Sequence, residues 1–370
     1  MSFSHNNYFL IGALVLGISA VAFGQDKNPA AAAARVVPVL KVSLGEDVPT
    51  NVPIGAIFDP MRCDRQGNMY ARIGALDKLK QAFGAPIYRI DPDGRSTAFE
   101  FDRLPDVAGK NVGAFTFDVD RTGGVHAVVR TLEMKRDGVE ALYVVSFARD
   151  GTYRSRFEIN SKYRPTHLVA LANGYFYITG LLAKDKSVAS SSPQSISVLL
   201  DANGRLIRDM KERSDDHPPK DQAVKGYGKV PIIENPAIQM GDAWEGPDGN
   251  LYIFRGTVPT RVQVFSLDGT LVRTVQLRSP FPEVQSTLVA AGPDRLWVTV
   301  FGPPELDDKG WKKSQAVNYV IYDLNTGEPL FEVDVSNIHA PVACAVNDEL
   351  LILKPTPTGT YAVVRGTVGR

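Results

Sequence analysis

The sequence predicts an all-β fold, a six-bladed β-propeller of four-stranded antiparallel blades in which an N-terminal strand closes the last blade. Three observations predict it. A hairpin signature, a small turn followed by apolar and aromatic residues, recurs six times along the 370 residues. A second turn containing glycine follows five of these copies. A single strand-like run follows the sixth copy, and an unpaired run precedes the first.

The repeat is clearest between Trp244 and Gln276, which reads WEGPDGNLYIF and then RVQVFSLDGTLVRTVQ. Asp-Gly between alternating apolar residues is a strong hairpin signal, so this stretch predicts four consecutive antiparallel strands. The other copies of the first hairpin are DRQGNMYARI (64–73), DRTGGVHAVV (120–129), LANGYFYITG (171–180), GPDRLWVTV (292–300) and VNDELLIL (346–353). The second turns contain Gly94, Gly151, Gly204, Gly269 and Gly327.

The two ends of the chain predict how the ring closes. Val36–Leu44 has no hairpin of its own, and Tyr361–Val368 has no following partner. Pairing these two runs leaves no open edge between the first and last units. The expected blades are 56–104, 113–160, 166–212, 237–277, 286–335, and 340–370 together with 36–44.

The N-terminus predicts export. Tyr8–Phe23 is an uncharged run typical of a secretory signal, with residues 1–24 removed before Gln25 and an Ala-rich linker at 25–35. An uncleaved anchor is the alternative, although a membrane span needs about 20 apolar residues. We expect a secreted or periplasmic monomer with no stable membrane span after cleavage. The 41 basic residues balance 41 acidic ones, which argues against a nucleic-acid partner.

The GPDGNLYI and SLDGTLVR patterns resemble those of NHL-type and gluconolactonase-like six-bladed propellers across nearly the whole mature chain. This resemblance implies the same architecture. It also implies an alternative function, a metal-dependent lactonase-like hydrolase or lyase that uses Ca or Zn. None of the metal-ligand motifs of that group is matched here, so no metal ligand or catalytic residue is assigned and no cofactor is expected.

Length variation predicts the binding face. The turns inside each hairpin are short, whereas Gly74–Pro86, Leu181–Ser195, Met210–Pro236 and Gly302–Val317 are long and belong to the opposite face. Long loops on one face of a repeat protein usually mark the binding face. The first of them contains ALDKLKQAFG (75–84), whose apolar spacing predicts a short helix.

Basic residues suggest an anion site at this mouth. Arg72, Arg130, Arg255 and Lys354 each follow the end of a second strand. Arginine and lysine there suit carboxylate or phosphate groups. The alternative is that each pairs with a nearby carboxylate or faces solvent. The candidate ligand-binding residues are Arg62, His167, Asp242, Arg255, His339 and Lys354.

Two further sets of residues recur at fixed repeat positions. Cys63 and Cys344 stand at the same position in the first and last blades, which predicts either a disulfide across the closure or two buried thiols. Tyr70, Tyr177, Tyr252, Trp297 and His126 share another position, and such recurrence favours inter-blade core over a sugar-stacking platform.

The sequence therefore favours an exported binding or interaction module over an enzyme. Its partner at the long-loop face is an anionic small molecule, a saccharide or a protein. A structural role in a cell-envelope complex is a further alternative. No P-loop, GxSxG or HExxH motif is found.

Overall fold

The computed structural model describes most of the chain after residue 36. The described residues are 37–74, 84–105, 111–133, 138–182, 195–210, 223–224, 228–229, 242–256, 258–306, 312–336, 338, 342–346 and 349–369. They form strands, turns and connections without an α-helix. The expected signal segment and linker, most of the expected helix at 75–84, and His339 lie outside the described residues.

The strands follow one another in chain order. The first half of the chain contains β1 (Val39–Pro53), β2 (Ala56–Cys63), β3 (Met69–Gly74), β4 (Ile87–Ile90), β5 (Ser96–Phe99), β6 (Asn111–Val119), β7 (Val125–Glu133), β8 (Gly138–Phe147), β9 (Tyr153–Ile159), β10 (Tyr163–Ala170), β11 (Phe176–Leu182), β12 (Ser195–Leu200) and β13 (Leu206–Asp209). The second half contains β14 (Ala223–Val224), β15 (Gly228–Lys229), β16 (Ala243–Glu245), β17 (Leu251–Arg255), β18 (Arg261–Phe265), β19 (Leu271–Gln276), β20 (Gln285–Ala291), β21 (Arg295–Leu306), β22 (Lys312–Asp323), β23 (Pro329–Asp334), β24 (Val342–Val346), β25 (Glu349–Pro355) and β26 (Thr360–Gly369).

Four groups of strands form separate four-stranded antiparallel sheets: the first sheet (β2–β5), the second (β6–β9), the third (β10–β13) and the fourth (β16–β19). An eight-stranded sheet has the order β20-β21-β22-β23-β1-β26-β25-β24, and β14 pairs only with β15. Glycines with positive φ occupy the expected turns, including Gly94 and Gly269. These are the backbone conformations that Asp-Gly hairpins require.

The predicted pairing of the two chain ends is observed, because Val42 pairs with Val368 and Leu44 with Gly366. The N-terminal strand is longer than expected, however, and reaches Pro53. Its other edge is also used, since Val39, Leu40 and Lys41 pair in parallel with Glu332–Asp334 of β23. The six expected blades are therefore not six separate sheets. These three residue pairs join β1 to β23, which makes β20–β23, β1 and β24–β26 one sheet.

Hydrophobic clusters lie between consecutive sheets all the way round. Tyr70, Ile87 and Phe99 of the first sheet pack on Phe117 and Phe147 of the second. Equivalent clusters join the second to the third sheet, the third to the fourth, and the fourth to β20–β23. Two more join β20–β23 to β24–β26, and β24–β26 back to the first sheet. This return of the last strands to the first makes the arrangement propeller-like.

The recurring aromatic position is buried, as the inter-blade core interpretation predicted. Tyr70, Tyr177, Tyr252 and Trp297 are each at most 5% exposed and belong to clusters between sheets. Full burial of one such side chain contributes about 1.5–3 kcal/mol of hydrophobic stabilisation. These residues therefore hold neighbouring sheets together and are not open to stack on a sugar.

Two ends of the molecule can be distinguished. At the short-turn end lie the turns Asp64–Asn68, Asp120–Gly124 and Leu171–Tyr175, each closed by backbone hydrogen bonds. At the long-loop end β2, β6 and β10 begin. The innermost strands lie side by side, with β2 against β6 and β24, and β10 against β6 and β16.

Candidate functional site

An ion cluster crosses the space enclosed by the innermost strands. Arg62 of β2 donates from Nη1 and Nη2 to the two carboxylate oxygens of Asp242, both at 2.9 Å. Its Nε lies 3.4 Å from Oδ1 of Asp118 in β6. His167 of β10 places Nε2 4.0 Å from Oδ1 of Asp242. Side chains from four different sheets therefore meet at one point, which we call the axial cluster.

Backbone groups hold both carboxylates of the axial cluster in place. The N–H of Ala170 donates to Oδ2 of Asp118 at 2.9 Å, and the N–H of Ala243 donates to Oδ1 of Asp242 at 2.8 Å. These donors belong to β10 and β16, so each carboxylate is tied to the ring as well as to Arg62. Charge-assisted hydrogen bonds of this kind are stronger than neutral ones.

The two carboxylates respond differently to this environment. Burial raises the pKa of Asp118, and Arg62 and the Ala170 N–H offset only part of that effect. Burial acts in the same direction on Asp242, but Arg62, His167 and the Ala243 N–H outweigh it and lower its pKa. For Arg62, burial disfavours the charged form, yet the two carboxylates more than compensate and its pKa is raised. The stable state is a protonated Arg62 paired with an ionised Asp242.

A second ion pair crosses the molecule nearer the short-turn end. Arg121 of the second sheet's turn donates from Nε to Oε2 of Glu245 at 3.0 Å and from Nη2 to the carbonyl of Gly246 at 2.8 Å. Glu245 belongs to the fourth sheet, so this contact joins two sheets that do not follow each other in the chain. The side chain of Glu245 is almost fully buried. Arg121 and Glu245 together extend the charged network toward the short turns.

Arg62 lies at a different end of its strand from the one that the sequence predicted. The sequence placed it at the long-loop face, but Arg62 pairs with Tyr70 beside the Asp64–Asn68 turn. The reason is that β2 begins at Ala56 at the long-loop end and Arg62 is its penultimate residue. Asp118 occupies the matching position in β6, opposite His126.

The remaining predicted site residues do not join this cluster. Arg255 is buried in the fourth sheet and donates from Nε to Oε1 of Gln263 at 2.9 Å. Lys354 forms an exposed ion pair with Asp47, with Nζ 2.8 Å from Oδ2. Lys354 thus has a carboxylate partner in β1, and its part in an anion pocket with Arg255 stays a prediction. His339 lies outside the described residues.

Two arginines of the second and third sheets, Arg130 and Arg164, lie at the long-loop end. Arg130 in the second half of β7 stacks over Phe115 with its guanidinium carbon 4.7 Å from the ring centroid. Burial lowers the pKa of Arg130, and the neighbouring positive charge of Arg164 lowers it further. Arg164 donates from Nη1 to the carbonyls of Ser161 and Tyr163 at 2.9 and 2.8 Å. We call Arg130, Arg164 and Phe115 the arginine pair site.

A neighbouring arginine repeats part of this arrangement. Arg72 at the end of β3 stacks over Phe58 with its guanidinium carbon 4.9 Å from the ring centroid. It also donates from Nη1 to the carbonyl of Ala114, the residue before Phe115. This contact fixes the start of β6, on which the arginine pair site is built.

Asp120, His126 and Ser146 form a chain that resembles a hydrolytic triad in its order of groups. Nδ1 of His126 lies 2.8 Å from Oγ of Ser146, and Nε2 lies 3.0 Å from Oδ2 of Asp120. Ser146 is buried within β8, and Tyr252 makes the matching contact to Asp248 in the fourth sheet. A polar-tipped ring at this position therefore anchors the short turn, which is a structural role.

The resemblance to gluconolactonase-like propellers implies a divalent cation near the axis, and the residues there do not fit one. The Arg62 guanidinium itself fills the place between the two carboxylates. Within the described residues, no group of three or more His, Cys, Asp or Glu is placed to hold a metal ion. The axial cluster is thus an ion cluster made of the protein's own side chains.

A disulfide joins Cys63 and Cys344, whose Cα atoms are 6.2 Å apart, within the range that a bridge requires. The two residues are not fully equivalent, because Cys63 pairs with Met69 whereas Cys344 pairs with Leu351. The bridge links β2 to β24 at the junction of the first and last strands.

Across the part of the chain with described coordinates, no helix has the length and apolar character to cross a membrane.

Neither a protein-family model nor a curated protein matches the chain. Among solved structures, a protein of unknown function from Bacteroides caccae aligns with a TM-score of 0.44 and 12% identity over 82% of this chain and 87% of its own. The Pan2 WD40 domain of Neurospora crassa aligns with a TM-score of 0.42 and 10% identity over 85% and 90%. A luciferin-regenerating enzyme aligns with a TM-score of 0.34 and 13% identity over 85% and 78%.

Proposed function

We propose that the chain is an exported, monomeric six-bladed β-propeller of the NHL or gluconolactonase-like type that binds an anionic ligand at its long-loop end. The six-blade count takes β20–β23 as one blade and β24–β26 with β1 as the last. The parallel contact between β1 and β23 involves only three residue pairs, which supports counting these strands as two blades.

The arginine pair site carries the functional proposal. Arg130 pairs with Gly113 in β6, and Arg164 is the second residue of β10, which lies against β6, so both arginines lie at the same end of adjacent sheets. The positive charge of Arg164 lowers the pKa of Arg130, whose guanidinium stacks on Phe115. Like charges held together in this way repel each other. A bound phosphate or carboxylate group relieves that repulsion and accepts charge-assisted hydrogen bonds from both arginines. We therefore propose Arg130 and Arg164, rather than Arg255 and Lys354, as the centre of the anion site expected from the sequence.

The axial cluster supports binding over catalysis. Its carboxylates accept hydrogen bonds from Arg62 and from backbone N–H groups, so neither is poised as a base toward a substrate. A general base must reach the proton that it removes. The metal-dependent lactonase or lyase alternative has no described donor set to support it.

Calorimetric titration with inorganic pyrophosphate tests the proposal, with citrate as a second probe that separates phosphate from carboxylate recognition. Arg164→Gln is expected to weaken binding about tenfold, because it removes one charge-assisted interaction. Added salt is expected to weaken binding of the wild type as well. Lys354→Gln is the matched control, since it removes a distant exposed cation. Equal affinities of wild type and Arg164→Gln would refute the site, and binding of a neutral saccharide alone would refute the ligand class.

Export is tested separately by the mass of the protein recovered from its natural host. The proposal expects a mature N-terminus at Gln25 and recovery from the extracellular or periplasmic fraction. Retention of residues 1–24 on a membrane-associated protein would favour the anchor instead. A monomer is expected by light scattering.

A further inference from the structure

The contacts of the Arg62 guanidinium resemble those of a bound ligand, because its partners come from other sheets. Two of its nitrogens bind Asp242 in the bidentate geometry that suits a planar guanidinium, and the third lies against Asp118. The two carboxylates come from β6 and from the residue before β16, neither of which is in the sheet of Arg62. The cation thus meets receptor groups supplied by other parts of the ring.

Each receptor carboxylate also accepts a backbone hydrogen bond that does not involve Arg62. The Ala170 N–H fixes Asp118, and the Ala243 N–H fixes Asp242. Both carboxylates are mostly buried, with side-chain exposures of 12% and 23%. An ionised Asp242 and a second buried carboxyl, each held by a backbone hydrogen bond, form an acidic site. Such a site retains a strong electrostatic demand for a cation.

The geometry selects a guanidinium among cations. The two Asp242 oxygens are matched by two parallel N–H groups, and a third N–H direction meets Asp118. A compact ammonium ion reaches fewer of these oxygens at once. We propose that Asp118 and Asp242 form a guanidinium-binding site occupied by Arg62 of the same chain, and that it takes an alkylguanidinium from solution when the Arg62 side chain is absent.

The test uses the full chain carrying Arg62→Ala and ethylguanidinium chloride at concentrations far below those that denature proteins. The melting temperature of this variant is expected to rise by about 2 °C when the probe is about tenfold above its Kd. The wild type, whose site is filled, is expected to show no rise. Ethylammonium and the neutral isostere ethylurea are the matched probes, and neither is expected to reproduce the effect.

The double variant Arg62→Ala with Asp242→Asn removes half of the receptor and is expected to lose the response. An equal response to ethylguanidinium and ethylurea would overturn the proposal. So would a response that survives Asp242→Asn, or a larger response to calcium or zinc ions. If Arg62→Ala does not fold on expression, its refolding yield from urea is compared with ethylguanidinium or ethylammonium present. A higher yield with ethylguanidinium supports the site, and equal yields overturn it.

Discussion

Arg62 and Lys354 show how surroundings decide what an ion pair contributes. The Arg62–Asp242 pair is mostly buried and further held by a backbone N–H, whereas about half of each side chain in the Lys354–Asp47 pair is exposed. Exposed pairs contribute about 0–1 kcal/mol because solvent screens them and their side chains lose entropy. Removing one partner of a buried pair costs more, because the other charge is left without compensation.

Asp242→Asn is therefore expected to lower the free energy of unfolding by about 3 kcal/mol, because it leaves Arg62 without its bidentate partner. Asp118→Asn is expected to cost less, since its contact with Arg62 is longer and burial already disfavours its ionised form. Urea unfolding of both variants checks the order, with Lys354→Gln as the exposed control. Equal losses for Asp242→Asn and Lys354→Gln would contradict the buried role of the axial cluster.

Acid stability follows from Asp120 at the short turn of the second sheet. Burial alone raises its pKa, but hydrogen bonds from His126, Thr122 and the Gly124 N–H outweigh this and leave the pKa well below its usual range. A carboxyl with a depressed folded pKa stabilises the protein fully above its unfolded value and loses that contribution as pH falls toward the folded value. The raised pKa of Asp118 acts in the opposite direction.

Asp120→Asn is expected to flatten the fall in unfolding free energy between about pH 5 and pH 3, because the titrating group is gone. Urea unfolding at several pH values measures the slope. Asp201→Asn serves as the control, since Asp201 caps an equivalent exposed turn through the N–H of Asn203. A slope as steep as that of the wild type would show that Asp120 does not govern acid stability.

The sequence singled out three of the four residues of the axial cluster and missed the fourth. Arg62, His167 and Asp242 were candidates, but Asp118 was not, because an Asp two residues before a turn is usually a turn cap. Asp118 has the same position in its repeat as Arg62 has in the first one, and this equivalence could have identified Asp118 as a candidate. Arg164 follows no second strand, so the pattern that selected Arg130 could not include it.

Some short turns contain a glycine that lies close to the backbone of the adjacent sheet. Gly327 has a φ of +72°, and a Cβ there would collide with the backbone carbonyl of Gln276 in the adjacent sheet. Gly359 has a φ of +85° but open space around it. Gly359→Ala is expected to cost about 1 kcal/mol for backbone strain alone. Gly327→Ala is expected to cost about 2–4 kcal/mol because collision adds to the strain.

Thermal unfolding of the two glycine variants compares these costs directly. Similar melting temperatures for Gly327→Ala and Gly359→Ala would mean that the close approach of the turn to the next sheet does not exist in solution.

The N-terminal strand makes a second prediction at this scale. Deleting residues 36–44 removes Leu40 and Val42 from the core and leaves the outer edges of β23 and β26 without a partner over this stretch. Exposed strand edges promote association, so the truncated chain is expected to aggregate or to melt at a lower temperature. Light scattering and thermal unfolding check this. A monomeric truncated protein with unchanged melting would contradict the closure.

For the whole molecule, the disulfide closes almost the entire ring. Cys63 and Cys344 are separated by 281 residues. The chain-entropy model assigns such long loops a stabilisation of about 4–5 kcal/mol, and measured values are often smaller. Unreduced protein unfolded in urea is expected to expose no reactive thiol, and reduction is expected to lower the melting temperature. Two reactive thiols without reductant would reject the bridge.

At this scale the sequence predicted most of the architecture, because Asp-Gly turns and alternating apolar residues are local signals that repeat. The β1 pairing with β26 followed from counting unpaired runs. The parallel contact of β1 with β23 could not be predicted, since it depends on how the ring curves at Val39–Lys41. The same limit applies to the arginine pair site, which forms where two sheets meet.

Anion binding at the long-loop end can be seen in an anomalous difference map from crystals soaked in selenate, an anion that can be located by its selenium. The account predicts a peak within hydrogen-bonding distance of the guanidinium groups of Arg130 and Arg164, and loss of that peak in Arg164→Gln. A map with no peak there, or with selenate bound only beside Arg255 or Lys354, would contradict the claim that this end of the propeller binds an anionic ligand.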